Sequence, residues 1–410
     1  MKRFLLVITL IGTAVLAGCM EENHAPPEAA PFKTDTSEEP HRQGIEDPVK
    51  AKVQSMSLEE KAAQMMYVGV QGTSLSSGER SMIQEEAGGI FLLGGNIESA
   101  EQLRQYTADI IQADENGSIP LFLGVDEEGG SVSRIPDTIE NFPPNAVIGE
   151  SADEEVTKEI GRLLAEKVKA FRFNMDFAPV LDINNNPDNP VIGDRSFGDH
   201  PELVTSLGTA VMHGIAEEQV IPVVKHFPGH GDTSTDSHIS LPRIDKSKQT
   251  VKSFEMAPFR KAIKEGADMV MVAHILFPQI DDQYPSSLSR PIITGLLRED
   301  LNFNGVVITD DMTMGAIAEN YGMAEAAVRS VKAGSDMVMM ADTRNGKFSE
   351  VQQALVQAVE QGDIEETRVD QSVERILRLK QKYELGNKSA PSVDTGALNE
   401  KIEETVEGLE

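Results

Sequence analysis

The sequence predicts an α/β protein built as a (β/α)8 barrel of the TIM type, in a single domain. Three observations carry this. Eight short runs rich in Val, Ile, Leu, Phe and Met recur along residues 46–386, and several are followed by stretches of helical period. The runs are near-continuously apolar, as expected of parallel strands covered on both faces. The chain beyond residue 45 is about 365 residues long, normal for such a barrel with insertions. An open doubly wound sheet would be expected to carry a Gly-rich dinucleotide turn after the first run, and the "QGTSLSSGE" found there lacks that pattern.

In chain order, residues 1–19 read as a lipoprotein signal peptide. Lys2 and Arg3 precede an uncharged run, 4–17, that ends in Leu16-Ala17-Gly18-Cys19. Cys19, the sole cysteine, stands where a bacterial lipoprotein is cut and lipidated, so the expected location is extracytoplasmic, lipid-anchored to the cell membrane. With that thiol lipidated, no disulfide would contribute to stability. Residues 20–45 are rich in Glu, Pro and Ala and too poor in apolar side chains to fold, which makes them a tether. The formal charge is −30, or −32 once Lys2 and Arg3 leave with the signal. Such a surface repels nucleic acid and anionic lipid, so membrane contact is expected only through the N-terminal lipid.

The eight candidate strands are 66–70, 89–93, 120–125, 173–178, 221–224, 268–273, 305–309 and 336–340. Between the third and fourth, Val156, Ile160, Leu163, Leu164 and Val168 fall on one helical face, with Glu155, Lys158, Arg162 and Lys167 expected to face away. Val369, Val373, Ile376 and Leu377 repeat that pattern in a late helix. The barrel is expected to end at 386, leaving 387–410 as a polar, acidic tail.

Residues just beyond the C-terminal ends of barrel strands converge on one mouth. Here those positions hold Asp126 followed by "EEGGSVSR", then Asp176 and Asp182 leading to "NPVIGDRSFG", then Lys225-His226 opening "KHFPGHGDTSTDSHISLP". His274, Asp310-Asp311 and Asp342 follow the last three runs. The chain has eight histidines, and three fall between 225 and 242. His226 and His230 have an i, i+4 spacing, but Pro228 and Gly229 between them argue against a helix presenting both rings to a metal. No metal or other cofactor is expected. Gly-x-Ser-x-Gly elbows and phosphate-cradling loops are missing too. What remains is a carboxylate nucleophile, a proton donor, and Arg, Lys and Asp side chains able to hold sugar hydroxyls, which is glycoside chemistry. Tryptophan is absent, which suits a small closed pocket better than a long cleft stacking on successive sugar rings. Asp236 and His238, two apart in an extended loop, project to the same side, so the carboxylate can support a protonated imidazole. An imidazole with an unperturbed pKa of about 6.5 can donate and later accept a proton near neutral pH. Between Asp310 and Asp311 the residues alone do not choose, because adjacent strand-end side chains point opposite ways.

The segment 225–231, "KHFPGHG", with "DSH" at 236–238, "DEEGGSVSR", "IGDRSFG" and "VVITDDM", resembles the β-N-acetylhexosaminidase branch of glycoside hydrolase family three, in lipoprotein form. The resemblance runs from about residue 50 to 385. It implies a retaining exo-β-N-acetylglucosaminidase that removes terminal GlcNAc from peptidoglycan-derived GlcNAc–MurNAc fragments. By the same resemblance Asp310 would be the nucleophile, forming a covalent glycosyl-enzyme, and His238 the general acid/base oriented by Asp236. Asp126, Arg134, Arg195, Lys225 and His226 would hold the terminal sugar, with His230 organising the loop. Relatives acting on plain glucosides take their acid from a second domain, so here the proton donor is expected from the barrel loops. The implied partner is an amino-sugar oligosaccharide or muropeptide, bound by a monomer. Two alternatives stand beside this reading: a β-N-acetylglucosaminide phosphorylase on the same fold, and a non-catalytic muropeptide-binding lipoprotein.

Overall fold

The computed structural model describes residues 47–115, 117–386 and 393–409. The expected signal peptide with Cys19 and the expected tether lie outside them. Glu46–Glu410 is one compact unit.

Every one of the eight apolar runs falls on a strand: β1 (Met66–Gly69), β2 (Gly89–Leu92), β3 (Phe122–Val125), β4 (Met175–Asp176), β5 (Ile221–Phe227, three residues past the expected end at 224), β6 (Met269–Val272), β7 (Val306–Thr309) and β8 (Val338–Met340). All residues of these strands are buried, because helices cover them outside and side chains fill the barrel inside. Neighbours pair in parallel in the order β7-β6-β5-β4-β3-β2-β1-β8. A bridge from Ile308 to Met337 joins the ends, with Met337 N–H donating to Val307 O (2.9 Å) and Thr309 N–H to Met337 O (3.2 Å). The barrel is therefore closed. The register between β5 and β6 shifts between Val224 and Phe227, and the Lys225–His226 and Phe227–Pro228 peptides are cis.

The helix Glu154–Lys169 starts on Asp153, whose carboxylate accepts from the N–H groups of Glu155 and Val156, and it buries Ile160, Leu163, Leu164 and Val168 as expected. It packs on the helix Pro201–Glu217, where Gly161 and Gly214 let the two backbones touch. Lys158 and Arg162 do reach surface partners, Glu217 and Glu218. Lys167 does not face away. Its side chain is fully buried and its Nζ lies 2.8 Å from Glu127 Oε1, because a carboxylate inside the barrel wall draws in a residue flanking the apolar stripe.

The acidic tail also proves to be more than an appendage. Its residues Thr395–Glu407 form a helix, capped by Asp394, that buries Leu398 and Ile402 in the main core. Lys401 pairs with Glu166 of the helix Glu154–Lys169 at 3.1 Å. Leu398, Ile402 and Val406, spaced four residues apart, make a three-residue stripe, which the acidic residues on the other face hide in a reading by composition.

Candidate active site

Asp310 continues β7, its N–H bonded to Val272 O of β6 (2.9 Å). The carboxylates of Asp310 and Asp311 have separate fates. That of Asp311 is fully engaged, accepting from Thr313 N–H (2.9 Å), Thr313 Oγ1 (2.5 Å) and Ala341 N–H (2.8 Å), which ties the end of β7 to the end of β8. Among the described residues that of Asp310 accepts only the N–H of Asp311 (2.8 Å), and the imidazoles of His274, His226 and His238 lie within electrostatic reach of it. Burial works to raise the Asp310 pKa, but these imidazoles and the Asp311 N–H together hold it below its ordinary value. Asp311, by contrast, is pushed up by burial. His274 is held by Ser287 Oγ at Nδ1 (2.7 Å) and by Asp311 O at Nε2 (3.0 Å), and burial lowers its pKa. A neutral ring that donates from Nε2 and accepts at Nδ1 satisfies both contacts.

After β3, three successive acids divide the work. Glu127 accepts from Ser133 Oγ (2.6 Å) and from the N–H groups of Arg134 (2.7 Å) and Ile135 (3.0 Å), closing its own loop, with Lys167 as counter-ion. Glu128 is buried and takes a two-pronged bond from Arg195, Nε at 2.9 Å and Nη2 at 2.8 Å. Lys225 Nζ lies 2.5 Å from both Glu128 Oε1 and Asp126 Oδ1. Burial alone would raise the Glu128 pKa, yet the charges of Arg195 and Lys225 hold it far below the carboxylate range. For Lys225 burial pulls down while Asp126 and Glu128 prevail, so its pKa is raised and it stays a cation. Asp126 keeps access to solvent, with 25% of its side chain exposed. Among the described residues the Arg134 side chain makes no hydrogen bond to this cluster; it runs beside Gly94, and its buried Nε has no hydrogen-bond partner.

The end of β5 is organised by Asp182. Its carboxylate accepts from the His226 ring at Nδ1 (2.7 Å) and from the N–H groups of His226 (3.3 Å) and His230 (2.7 Å). The Nδ1–H of His226 is thereby fixed, and its Nε2 is left for a ligand. His230 is neutral, its pKa pushed down to about 4 by burial and by the adjacent His226. Its ring contacts Thr233 Oγ1 (3.0 Å) and Ser237 Oγ (3.1 Å), so it braces the loop as expected. Asp236 Oδ1 accepts from the His238 N–H (2.8 Å) and lies 2.8 Å from His238 Nδ1. Burial raises and the His238 contacts lower the Asp236 pKa, with the lowering dominant, so this carboxylate is an anion beside the ring. The His238 side chain is 64% exposed.

Of the other rim positions, Asp342 turns to Arg344 and Lys347, and Asp176 sits beneath the mouth with its carboxyl pushed well up by burial and by Glu127. Sequence reasoning placed Asp182 and His274 at the mouth without giving either a role, and did not single out Glu128. The signal for Glu128 was its place two residues after the strand-end Asp126. Among the described residues, no group of three or more His, Cys, Asp or Glu side chains is arranged to hold a metal ion.

A carboxylate at the end of β7, an imidazole loop within its electrostatic reach and a buried cation cluster are the group types that glycoside chemistry uses. Residues 57–379 match the glycosyl hydrolase family 3 N-terminal domain. The chain belongs to glycosyl hydrolase family 3. It is similar to the beta-hexosaminidase of Tolumonas auensis (34% identity, 68% of this chain and 84% of that one) and to beta-hexosaminidase LpqI of Mycobacterium tuberculosis (32%, 79% and 83%). Beta-hexosaminidase A of Pseudoalteromonas piscicida is 32% identical over 72% of this chain, which spans only 54% of that longer protein. Among solved structures, a family 3 β-N-acetylglucosaminidase from Paenibacillus sp. str. FPU-7 superposes with a TM-score of 0.81 at 39% identity, covering 86% of this chain and 68% of that one. M. tuberculosis LpqI gives a TM-score of 0.73 at 30% identity, covering 81% and 96%. This family 3 member is a glycoside hydrolase on a (β/α)8 barrel.

Proposed function

We propose that the protein is a retaining exo-β-N-acetylglucosaminidase that removes terminal GlcNAc from peptidoglycan-derived GlcNAc–MurNAc fragments through a covalent glycosyl-aspartate. One observation carries the mechanism: the Asp310 carboxylate, its pKa held down, is nearly uncommitted and within electrostatic reach of His238, which pairs with Asp236, while its neighbour Asp311 is consumed by the turn. The names of the Tolumonas, Mycobacterium and Paenibacillus relatives support the choice of an amino sugar.

In the first step an Asp310 oxygen attacks the anomeric carbon as the bond to the leaving oxygen breaks, and His238 gives its Nε2 proton to that oxygen. In the second the now neutral ring takes a proton from water, the water oxygen attacks the anomeric carbon, and Asp310 departs as carboxylate. Asp236, bonded at Nδ1, steadies the imidazolium before the first step and after the second, and keeps the neutral ring oriented between them. Asp126, Arg134, Arg195, Lys225 and His226 hold the sugar hydroxyls, with Glu128 and Asp182 fixing the last three. A histidine acid also suits a leaving group bearing a lactyl carboxylate, since it approaches an anion without the repulsion a glutamate would feel. Lipidation at Cys19 would place this activity outside the cytoplasm, on a monomeric enzyme.

The test is turnover of an aryl β-N-acetylglucosaminide against the aryl β-glucoside, with and without phosphate, on the parent and on Asp310→Asn and Asp311→Asn. Preference for the amino sugar, phosphate independence and abolition by Asp310→Asn are expected. A sugar 1-phosphate product, or an active Asp310→Asn beside an inactive Asp311→Asn, would overturn the reading.

A further inference from the structure

The loop carrying His238 leaves the barrel after β5, yet its tip is fastened to the segment that follows β7. Gly315 N–H donates to His238 O (3.1 Å) and Ala316 N–H to Ser237 O (3.2 Å). A Cβ on Gly315 would stand 2.5 Å from Ile239 O and 2.7 Å from His238 O. Both obstacles are backbone atoms, so no rotamer change could relieve them. Gly315 is not among the residues with positive φ, so close approach, not backbone conformation, is what requires a glycine there.

The rest of the bracket is tied by hydrogen bonds on both sides. From below, His230 holds Ser237 Oγ, and the His230 N–H is itself bound to Asp182. On the other side, Gly315 lies five residues beyond Asp310, and the intervening turn is closed by Met314 N–H to Asp311 O (3.0 Å) and by the bonds of the Asp311 carboxylate to Thr313 and Ala341. The support of the imidazole is thus the same short stretch of chain that supports the carboxylate.

We propose that Gly315 is a positioning residue for proton transfer. With Ala316 it docks the Asp236–His238 pair onto the Asp310 segment, so that acid/base and nucleophile keep a fixed separation although the loops carrying them leave from different strands. This rests on the proposed roles of His238 and Asp310, and it adds what holds them in register.

Gly315→Ala puts a methyl against the His238 and Ile239 carbonyls and must displace the loop tip. For a β-N-acetylglucosaminide with a sugar leaving group, kcat/KM is expected to fall about 10²-fold, within the scale of general acid catalysis. For the 2,4-dinitrophenyl glycoside, whose leaving group departs unprotonated, kcat/KM should hold. With that substrate kcat should fall, because the second step lacks its base. Added azide should restore it: its nitrogen attacks the anomeric carbon, the Asp310 carboxylate leaves, and the glycosyl azide is the product. Ala316→Pro, which removes the second N–H in a first helical turn where proline is tolerated, should show the same pattern more weakly. His238→Ala is the reference and should show it in full. If His238→Ala loses both substrates equally and azide does not help, the proton-transfer role itself is wrong. If His238→Ala separates the substrates while neither Gly315→Ala nor Ala316→Pro does, the positioning role is overturned and the catalytic reading stands.

Discussion

Replacing Glu128 by Gln removes one buried negative charge and almost no volume. In the parent, Glu128 receives two bonds from Arg195 at 2.9 and 2.8 Å and one contact from Lys225 at 2.5 Å, all within a nearly solvent-free pocket. Breaking a buried pair on one side costs about 3–5 kcal/mol, because the partner charge is left uncompensated. Lys225 retains Asp126 and the glutamine carbonyl retains one acceptor, which argues for the lower end, about 3 kcal/mol. The compact unit Glu46–Glu410, at about 2.1 cal/mol/K per residue, has an unfolding entropy near 0.8 kcal/mol/K, so Tm should drop by about 4 °C. The sign with pH follows from the depressed pKa: the contribution of Glu128 is present above the unfolded carboxylate pKa and is lost as pH falls through its much lower folded value. Thermal unfolding at neutral pH and steady-state kinetics on an aryl β-N-acetylglucosaminide are the assays. KM should rise more than kcat falls, because the proposed role of Arg195 and Lys225 is to bind the sugar without joining the bond-breaking. A variant with the parent Tm and the parent KM would refute the view that Glu128 holds these two cations in place.

Asp336, buried below β8, is the shared partner of Arg298, Arg368 and Arg375 and also accepts from Ser372 Oγ (2.8 Å) and Val307 N–H (2.9 Å). Asp336→Ala strands three arginines at the seam that closes the barrel and should cost at least about 3–5 kcal/mol in urea unfolding; a loss under 1 kcal/mol would count against it. Burial pulls the Lys380 pKa down to about 7. The unfolded chain therefore holds a proton the folded one lacks between pH 7 and about 10, and parent stability should gain up to about 1.4 kcal/mol per pH unit relative to Lys380→Met over that window. An equal difference at pH 7 and pH 9 would dismiss this. Leu398→Ala in the C-terminal helix should destabilise by about 2–5 kcal/mol, as a core leucine does, whereas a freely solvated tail would give no change.

All eight strands were legible because a parallel strand buried on both faces must be apolar throughout, and such runs stand out against polar loops. The rim residues were legible for a related reason: once the strands are placed, whatever follows each one lies at the mouth. Lys167 and the helix Thr395–Glu407 were misread because periodicity reports the average environment of a face. One buried counter-ion, or three apolar residues among many acids, falls below that average.

The order of β and α units, the identity of the ionisable groups at the mouth and the Asp236–His238 spacing belong to the sequence by itself, since each is set by local pattern and chain connectivity. The different partners of the Asp310 and Asp311 carboxylates, the union of Arg195 and Lys225 on Glu128, and the fastening of His238 to Gly315 were decided only by tertiary structure. Each depends on which atoms from distant strands fill the hydrogen-bonding capacity of a buried group, and that is a property of three-dimensional neighbours.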